Sequence, residues 1–135
     1  MSKTHTLTIK TKEKRALQDV TDQVQKLVED ADIKEGIVHL FVPHTTAGVT
    51  INENADPDVK HDILKGLTDA FPNQSSFRHM EGNSDAHLMS SSIGCDQTVI
   101  ITDGSLLLGT WQGIYFAEFD GPRTRKLYVK IIQQA

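Results

Sequence analysis

The residues best equipped for chemistry are histidines. The chain of 135 residues carries six, and three of them sit where a side chain can reach a cleft. His44 follows an apolar run in Pro43-His44-Thr45-Thr46-Ala47, and His79 and His87 close the two ends of HMEGNSDAH. Neutral imidazole is the commonest side-chain ligand for zinc and similar cations, and three of them with an open position make a catalytic type of site. The spacing is not a strict signature such as HExxH, so spacing alone favours histidines that bond loop carbonyls. His5 and His61 fall on a strand start and a helix surface and read as solvated. His39, inside IVHLFV, reads as a core or interface histidine.

Carboxylates that could work with these rings are Glu53, Asp56, Asp58, Glu81, Asp85, Glu118 and Asp120. Asp56 has a sufficient role as a helix cap, Asp58 in the helix first turn, and Asp120 in a turn. Glu53, flanked by Asn52 and Asn54 at a strand end, has no such role and suits a general base or a partner that orients a histidine. Glu118 lies in an apolar strand and either faces solvent or pairs with Arg123 or Arg125. The planar fork of Arg123 suits bidentate recognition of phosphate or carboxylate. A salt bridge within its own hairpin, to Asp120 or Glu118, is the equal alternative. Backbone amides near Gly104, Gly109 and Gly113 can hold an anion, although no Walker or GxGxxG spacing is present. Cys95 has no visible basic neighbour and reads as a buried or inert thiol.

Composition narrows the class. A net charge of −4 and a pI near 5.8 supply no overall basic field, which argues against nucleic acid. Hydrophobic content of 38% and charge of 24% are ordinary for a soluble globular domain. No apolar run approaches the roughly 18 residues of a membrane helix, and MSKTHTLTIK lacks the apolar core of a signal peptide. With one cysteine there is no internal disulfide, in keeping with a reducing cytoplasm.

The elements that must position these groups follow from periodicity. Thr4 to Lys10 alternates as a strand and Ala16 to Val20 forms a second, short one. Thr21 is a good N-cap for a helix to Asp32, whose face is Val24, Leu27, Val28 and Ala31. Ile37 to Val42 is an interior strand, and Gly48 to Asn52 another. Asp56-Pro57 starts a helix with Val59, Ile63, Leu67, Ala70 and Phe71 on one face, stopped by Pro72. The polar stretch Asn73 to Asp85 is the longest loop. A short helix then runs from Asn83 or Ser84 to about Ser92, with Gly94 behind it.

Gln97 to Thr102, Asp103-Gly104 and Ser105 to Leu108 read as a strand, a tight turn and its partner. Gln112 to Phe119 and Thr124 to Ile132 make a last hairpin around DGPR, the first strand buried on both faces and Trp111 packed in the core. About three helices and seven or eight strands without a βαβ rhythm predict a single α+β domain over 1–135. Its sheet is mixed, mostly antiparallel and in two layers.

Three blocks, HTTAGVTINENADPDV (His44 to Val59), HMEGNSDAH (His79 to His87) and DGSLLLGTWQGIYFAEFDGPR (Asp103 to Arg123), together strongly resemble the YjbQ-like family, UPF0047. The resemblance spans essentially the whole chain and implies a compact α+β fold and a homotrimer with sites near subunit boundaries. It singles out His44, Thr45, Thr46, Glu53, His79, Glu81, Gly82, His87, Thr110, Trp111, Gln112, Asp120 and Arg123. All three histidines chosen by position fall within these blocks. LMSSSIGCD after His87 departs from the pattern, with serines where helix-forming and basic residues are expected.

The resemblance also implies a secondary thiamine-phosphate synthase activity, a transferase joining an aminopyrimidine diphosphate to a thiazole phosphate with release of pyrophosphate. On that reading His44, Glu53 and His79 are catalytic, and Thr45, Thr46, Glu81, Gln112, Asp120 and Arg123 bind a phosphorylated small molecule. His44, His79 and His87 hold a divalent metal, zinc foremost. The alternatives are a metal-dependent hydrolase built on the same histidines, with Glu53 or Glu81 as base, and a non-catalytic trimeric protein that binds an anionic metabolite.

Overall fold

In the computed structural model, which describes residues 3–135, the apolar run before DGPR becomes the strand β7, Gln112–Glu118. Every residue of it after Gln112 is buried. It is the middle strand of a three-stranded sheet, between β2 (Ala16–Asp19) and β4 (Ala47–Glu53), antiparallel to both. The second sheet runs β1 (Thr4–Lys10), β8 (Thr124–Gln133), β3 (Gly36–Phe41), β5 (Asp96–Thr102) and the two-residue β6 (Ser105–Leu106). All of its ladders are antiparallel, so nothing in either sheet is mixed. The helices are α1 (Thr21–Asp30), α2 (Pro57–Ala70) and α3 (Ser84–Ile93).

Alternation along β7 divides the core in two. Ile114 and Phe116 face the larger sheet and pack with Val38, Leu40, Val99, Leu127, Val129 and with Val24 and Val28 of α1. Tyr115 and Ala117 face the other way, onto Met89 and Ala86 of α3 and the half-buried Ile63, Leu64 and Leu67 of α2. The expected two layers are the two sheets, and α2 and α3 cover the small sheet's far side.

Several local expectations change. Thr21 is the first helical residue rather than the cap: its hydroxyl donates to Asp19 and accepts the N–H of Ile114, tying α1 to β7. The helix stops at Asp30, two residues short of the expected Asp32. Asp56 caps α2 as read, accepting the Asp58 N–H at 2.9 Å. The strand expected over Ser105 to Leu108 ends at Leu106, because the chain turns away toward Gly109. There Gln112 accepts the Gly109 N–H through Oε1 and donates its own N–H to the Gly109 carbonyl, closing a tight turn. That turn holds Trp111 out of the core, 62% exposed. The expectation of a packed tryptophan is corrected for that reason. Among the described residues no helix is long and apolar enough to cross a membrane.

Candidate functional site

His44 lies on the connection between β3 and β4, on the ridge between two clefts. One, of about 490 Å³, is lined by Phe41, Val42, Pro43, His44, Thr45, Thr46, Cys95, Arg123 and Arg125. The other, of about 460 Å³, shares His44, Thr45 and Cys95 and adds His87, Ser90 and Ser91 of α3. The β3–β4 connection is held from both sides. The Val42 and Val49 N–H groups donate to the carbonyls of Cys95 and Gly94 behind α3, and Ser90 Oγ donates to the Thr45 carbonyl. Gly48 permits this closeness, since a Cβ there would stand 2.5 Å from the Gly94 carbonyl oxygen.

Beneath the first cleft is a buried ion pair. Glu118 accepts from Arg125 Nε at 2.9 Å and from Nη2, and from the Thr11 hydroxyl at 2.8 Å. Arg125 Nη2 also reaches Thr46 Oγ1 at 2.9 Å and the Thr46 carbonyl. Burial pushes the Glu118 carboxyl up, but Arg125, the Asp120 N–H and Thr11 outweigh it and leave its pKa lowered. Of the alternatives for Glu118, pairing with Arg125 is the one adopted. Arg123 takes the alternative within its own hairpin, donating through Nε to the Asp120 carbonyl and through Nη2 to the Asp120 carboxylate at 3.0 Å. Its side chain is still about half exposed at the cleft mouth.

His44 accepts the Lys126 backbone N–H through Nε2 at 2.9 Å. A neutral ring so placed carries its proton on Nδ1 and acts as a donor from that atom. Burial first, and then the positive charge of Arg125, lower its pKa from 6.5. With Nε2 engaged by the Lys126 N–H, the atom His44 has left to offer a ligand is Nδ1.

The other expected residues separate into two groups. His79 and His87 meet edge to face, ring centroids 5.3 Å apart, with Glu81 at 4.0 Å from His79. Asn83 joins this loop to the DGPR turn by donating to Asp120 at 2.8 Å. His44, Thr45, Thr46, His79, Glu81, His87, Asp120 and Arg123 therefore belong to one end of the molecule. Glu53 and Gln112 belong to the other. They are cross-strand partners at the far end of the β4–β7 ladder, whereas Ala47 opposite Glu118 marks the near end. Seven residues of β7 at about 3.3 Å each put roughly 20 Å between these ends.

The expected three-histidine metal centre is not assembled among the described residues. His87 shares one cleft with His44 and a ring contact with His79, yet among the described residues no three His, Cys, Asp or Glu side chains are placed to hold an ion. Cys95, read as a buried or inert thiol, is exposed and lines both clefts. Arg125 was missed as a cleft residue. Its signal was the parity of β8, where Arg125 alternates in phase with Leu127, Val129 and Ile131, all facing inward.

These features define an α+β protein of two antiparallel sheets, with a polar cleft at the end of the small sheet's middle strand. The chain belongs to the YjbQ-like family, UPF0047, whose model, described as UPF0047 protein YjbQ-like, matches residues 5–134. It is 58% identical over 124 residues to the UPF0047 protein MJ1081 of Methanocaldococcus jannaschii, covering 92% of this chain and 90% of that one. It is 51% identical to the UPF0047 protein YugU of Bacillus subtilis, covering 94% and 97%. A solved YjbQ/UPF0047 structure from Clostridium acetobutylicum, described as uncharacterized, superimposes with TM-score 0.92 at 52% identity, covering 95% of this chain and 99% of that one. A YbjQ-like protein of unknown function from Sulfolobus solfataricus does so with TM-score 0.94 at 33% identity, covering 99% of each.

These relatives correct the expected function. They are described by family or as of unknown function, and none of them is described as a thiamine-phosphate synthase. That activity is accordingly withdrawn as a reading of this chain.

Proposed function

We propose that the protein binds a phosphorylated small molecule, its anionic group seated between His44 and Arg123 over a floor of Thr45, Thr46 and Arg125. One observation carries the reading: the cleft of about 490 Å³ is lined by two arginines and a histidine and by no carboxylate. Each donor is held before a ligand arrives. Asp120 orients the Arg123 fork, Glu118 and Thr46 fix Arg125, and the Lys126 N–H sets the ring of His44 with Nδ1–H as donor. Donors fixed in advance stabilise an oxyanion without being reorganised by it. The expected cytoplasmic location belongs to the same proposal.

The homotrimer is part of the proposal as well, and what supports it is the outer face of the large sheet. Ile132, Ile37 and Ile100 stand side by side across β8, β3 and β5, and Tyr128, Phe41 and Asp96 form a parallel row four residues along. Ile100, Ile132 and Phe41 are exposed there, with His39, Lys130 and Thr98 in the row between them, a mixed apolar and polar surface of the composition that association covers.

The test is a thermal-shift and calorimetric titration with inorganic phosphate and pyrophosphate. Stabilisation by either in the wild type, lost in Arg123→Ala, is the expected result. No shift with either anion would overturn the reading.

A further inference from the structure

Asn83 stands one residue before α3, at the cap position, and its side chain does not cap the helix. Asparagine is favoured at that position because its side-chain oxygen accepts an N–H of the first turn. Here the amide is turned elsewhere. Nδ2 donates to Asp120 Oδ2 at 2.8 Å, while Oδ1 is buried and accepts from no described group. A buried acceptor without a partner is uncommon in folded proteins, and each one asks what the arrangement gains. The gain lies one bond further on. The same Asp120 Oδ2 accepts from Arg123 Nη2 at 3.0 Å, and the Asp120 carbonyl accepts from Arg123 Nε at 2.9 Å.

Both sides of the Asn83–Asp120 contact are anchored to one segment, the connection between β1 and β2. The Lys14 carbonyl accepts the Gly121 N–H, and the Thr11 N–H donates to the Arg123 carbonyl, which fixes the DGPR turn. Arg15 pairs with the buried Asp85 of α3 and donates to Thr68 of α2, which fixes the start of α3. Asn83 therefore meets Asp120 from a rigid platform. Arg123 has no such anchor of its own: its side chain is about half exposed, and both hydrogen bonds described for its guanidinium go to Asp120.

From this chain of contacts we infer that Asn83 is a positioning residue for the anion cleft, holding the Asp120 carboxylate in the orientation that aims the Arg123 fork at the cleft mouth. A long side chain ordered beforehand need not be ordered by the ligand, and that saving appears as affinity. The consequence for affinity rests on the proposed anion site, whereas the orientation of Arg123 does not.

The test separates positioning from capping. Asn83→Ser keeps a good capping residue but is too short to reach Asp120, and Asn83→Ala keeps neither function. Proton exchange of the Arg123 Nε–H is followed by NMR without any anion, its signal assigned by its absence in Arg123→Ala, with the buried Arg125 Nε–H as internal reference. Both variants are expected to speed exchange at Arg123 and leave Arg125 as in the wild type, although only Asn83→Ala loses a cap. Pyrophosphate affinity is expected to fall about three- to tenfold in both, the cost of ordering one free side chain on binding. Arg123 exchange unchanged in both variants, or Arg123 and Arg125 loosened alike in Asn83→Ser, would overturn the inference. So would faster Arg123 exchange with undiminished pyrophosphate affinity. A wild type that ignores phosphate and pyrophosphate, with Arg123 still released in the variants, would sink the anion reading and leave the positioning of Arg123 in place.

Discussion

The backbone N–H of Lys126 donates to Nε2 of His44 at 2.9 Å, across 82 residues of sequence. This one bond joins the HTTA segment to the last strand, just beyond DGPR. It also fixes the tautomer of the neutral ring, since Nε2 accepts and the proton is therefore on Nδ1.

A pH dependence follows from it. His44 has its pKa lowered below 6.5, by burial first and by Arg125 second. As pH falls through about 6.5 the unfolded chain takes up this proton before the folded one does, so the fold loses stability until the folded ring also protonates. Urea midpoints measured down this range are expected to fall in the wild type and to fall less steeply in His44→Gln.

The Glu118–Arg125 pair predicts a larger effect. Both side chains are buried, and removal of one partner leaves the other's charge uncompensated. Arg125→Met or Glu118→Leu alone is expected to cost about 3–5 kcal/mol in denaturant unfolding, and the double variant to recover much of it. Glu118 has its pKa lowered below 4.5, so the pair's contribution is present above that value and is lost as pH falls through the folded pKa.

Gly48 is the third case. A methyl group there meets the Gly94 carbonyl at 2.5 Å, a backbone atom that cannot swing aside. Gly48→Ala is expected to destabilise by about 1–3 kcal/mol. It should also weaken anion binding by shifting α3 away from Thr45, which calorimetry on the folded variant would register.

Zinc uptake distinguishes among the histidines. His79 and His87 face each other with ring centroids 5.3 Å apart, while His44 has its Nε2 occupied. Any zinc retained after dialysis is expected to be lost in His87→Ala and kept in His44→Ala, as read by elemental analysis. Equal loss in both variants would show that His44 joins the pair.

Much of the fold was legible from local pattern. The period-2 alternation of Leu127, Val129 and Ile131 located β8, and Asp56-Pro57 located the start of α2. The apolar continuity of Ile114 to Phe119 marked the strand buried on both faces, because few other settings hide every side chain of a strand. Three histidines were legible as candidates from position: His44 on the β3–β4 connection, His79 in the loop before α3 and His87 in the first turn of α3.

What periodicity cannot carry is partnership between distant residues. That His44 is held by Lys126, that Glu118 takes Arg125 rather than Arg123, and that Glu53 and Gln112 lie an entire strand away from the cleft are consequences of strand order and register. Trp111 shows the same division. Its size and apolar neighbours predict burial, but the turn made by Gly109 and Gln112 closes on itself and presents the ring outward. The sequence by itself determined which elements form and which faces are apolar, because those depend on neighbours a few residues away. Only the tertiary structure decided which polar groups meet, because hydrogen bonds and ion pairs act over about 3 Å and the chain brings such partners together only when it folds.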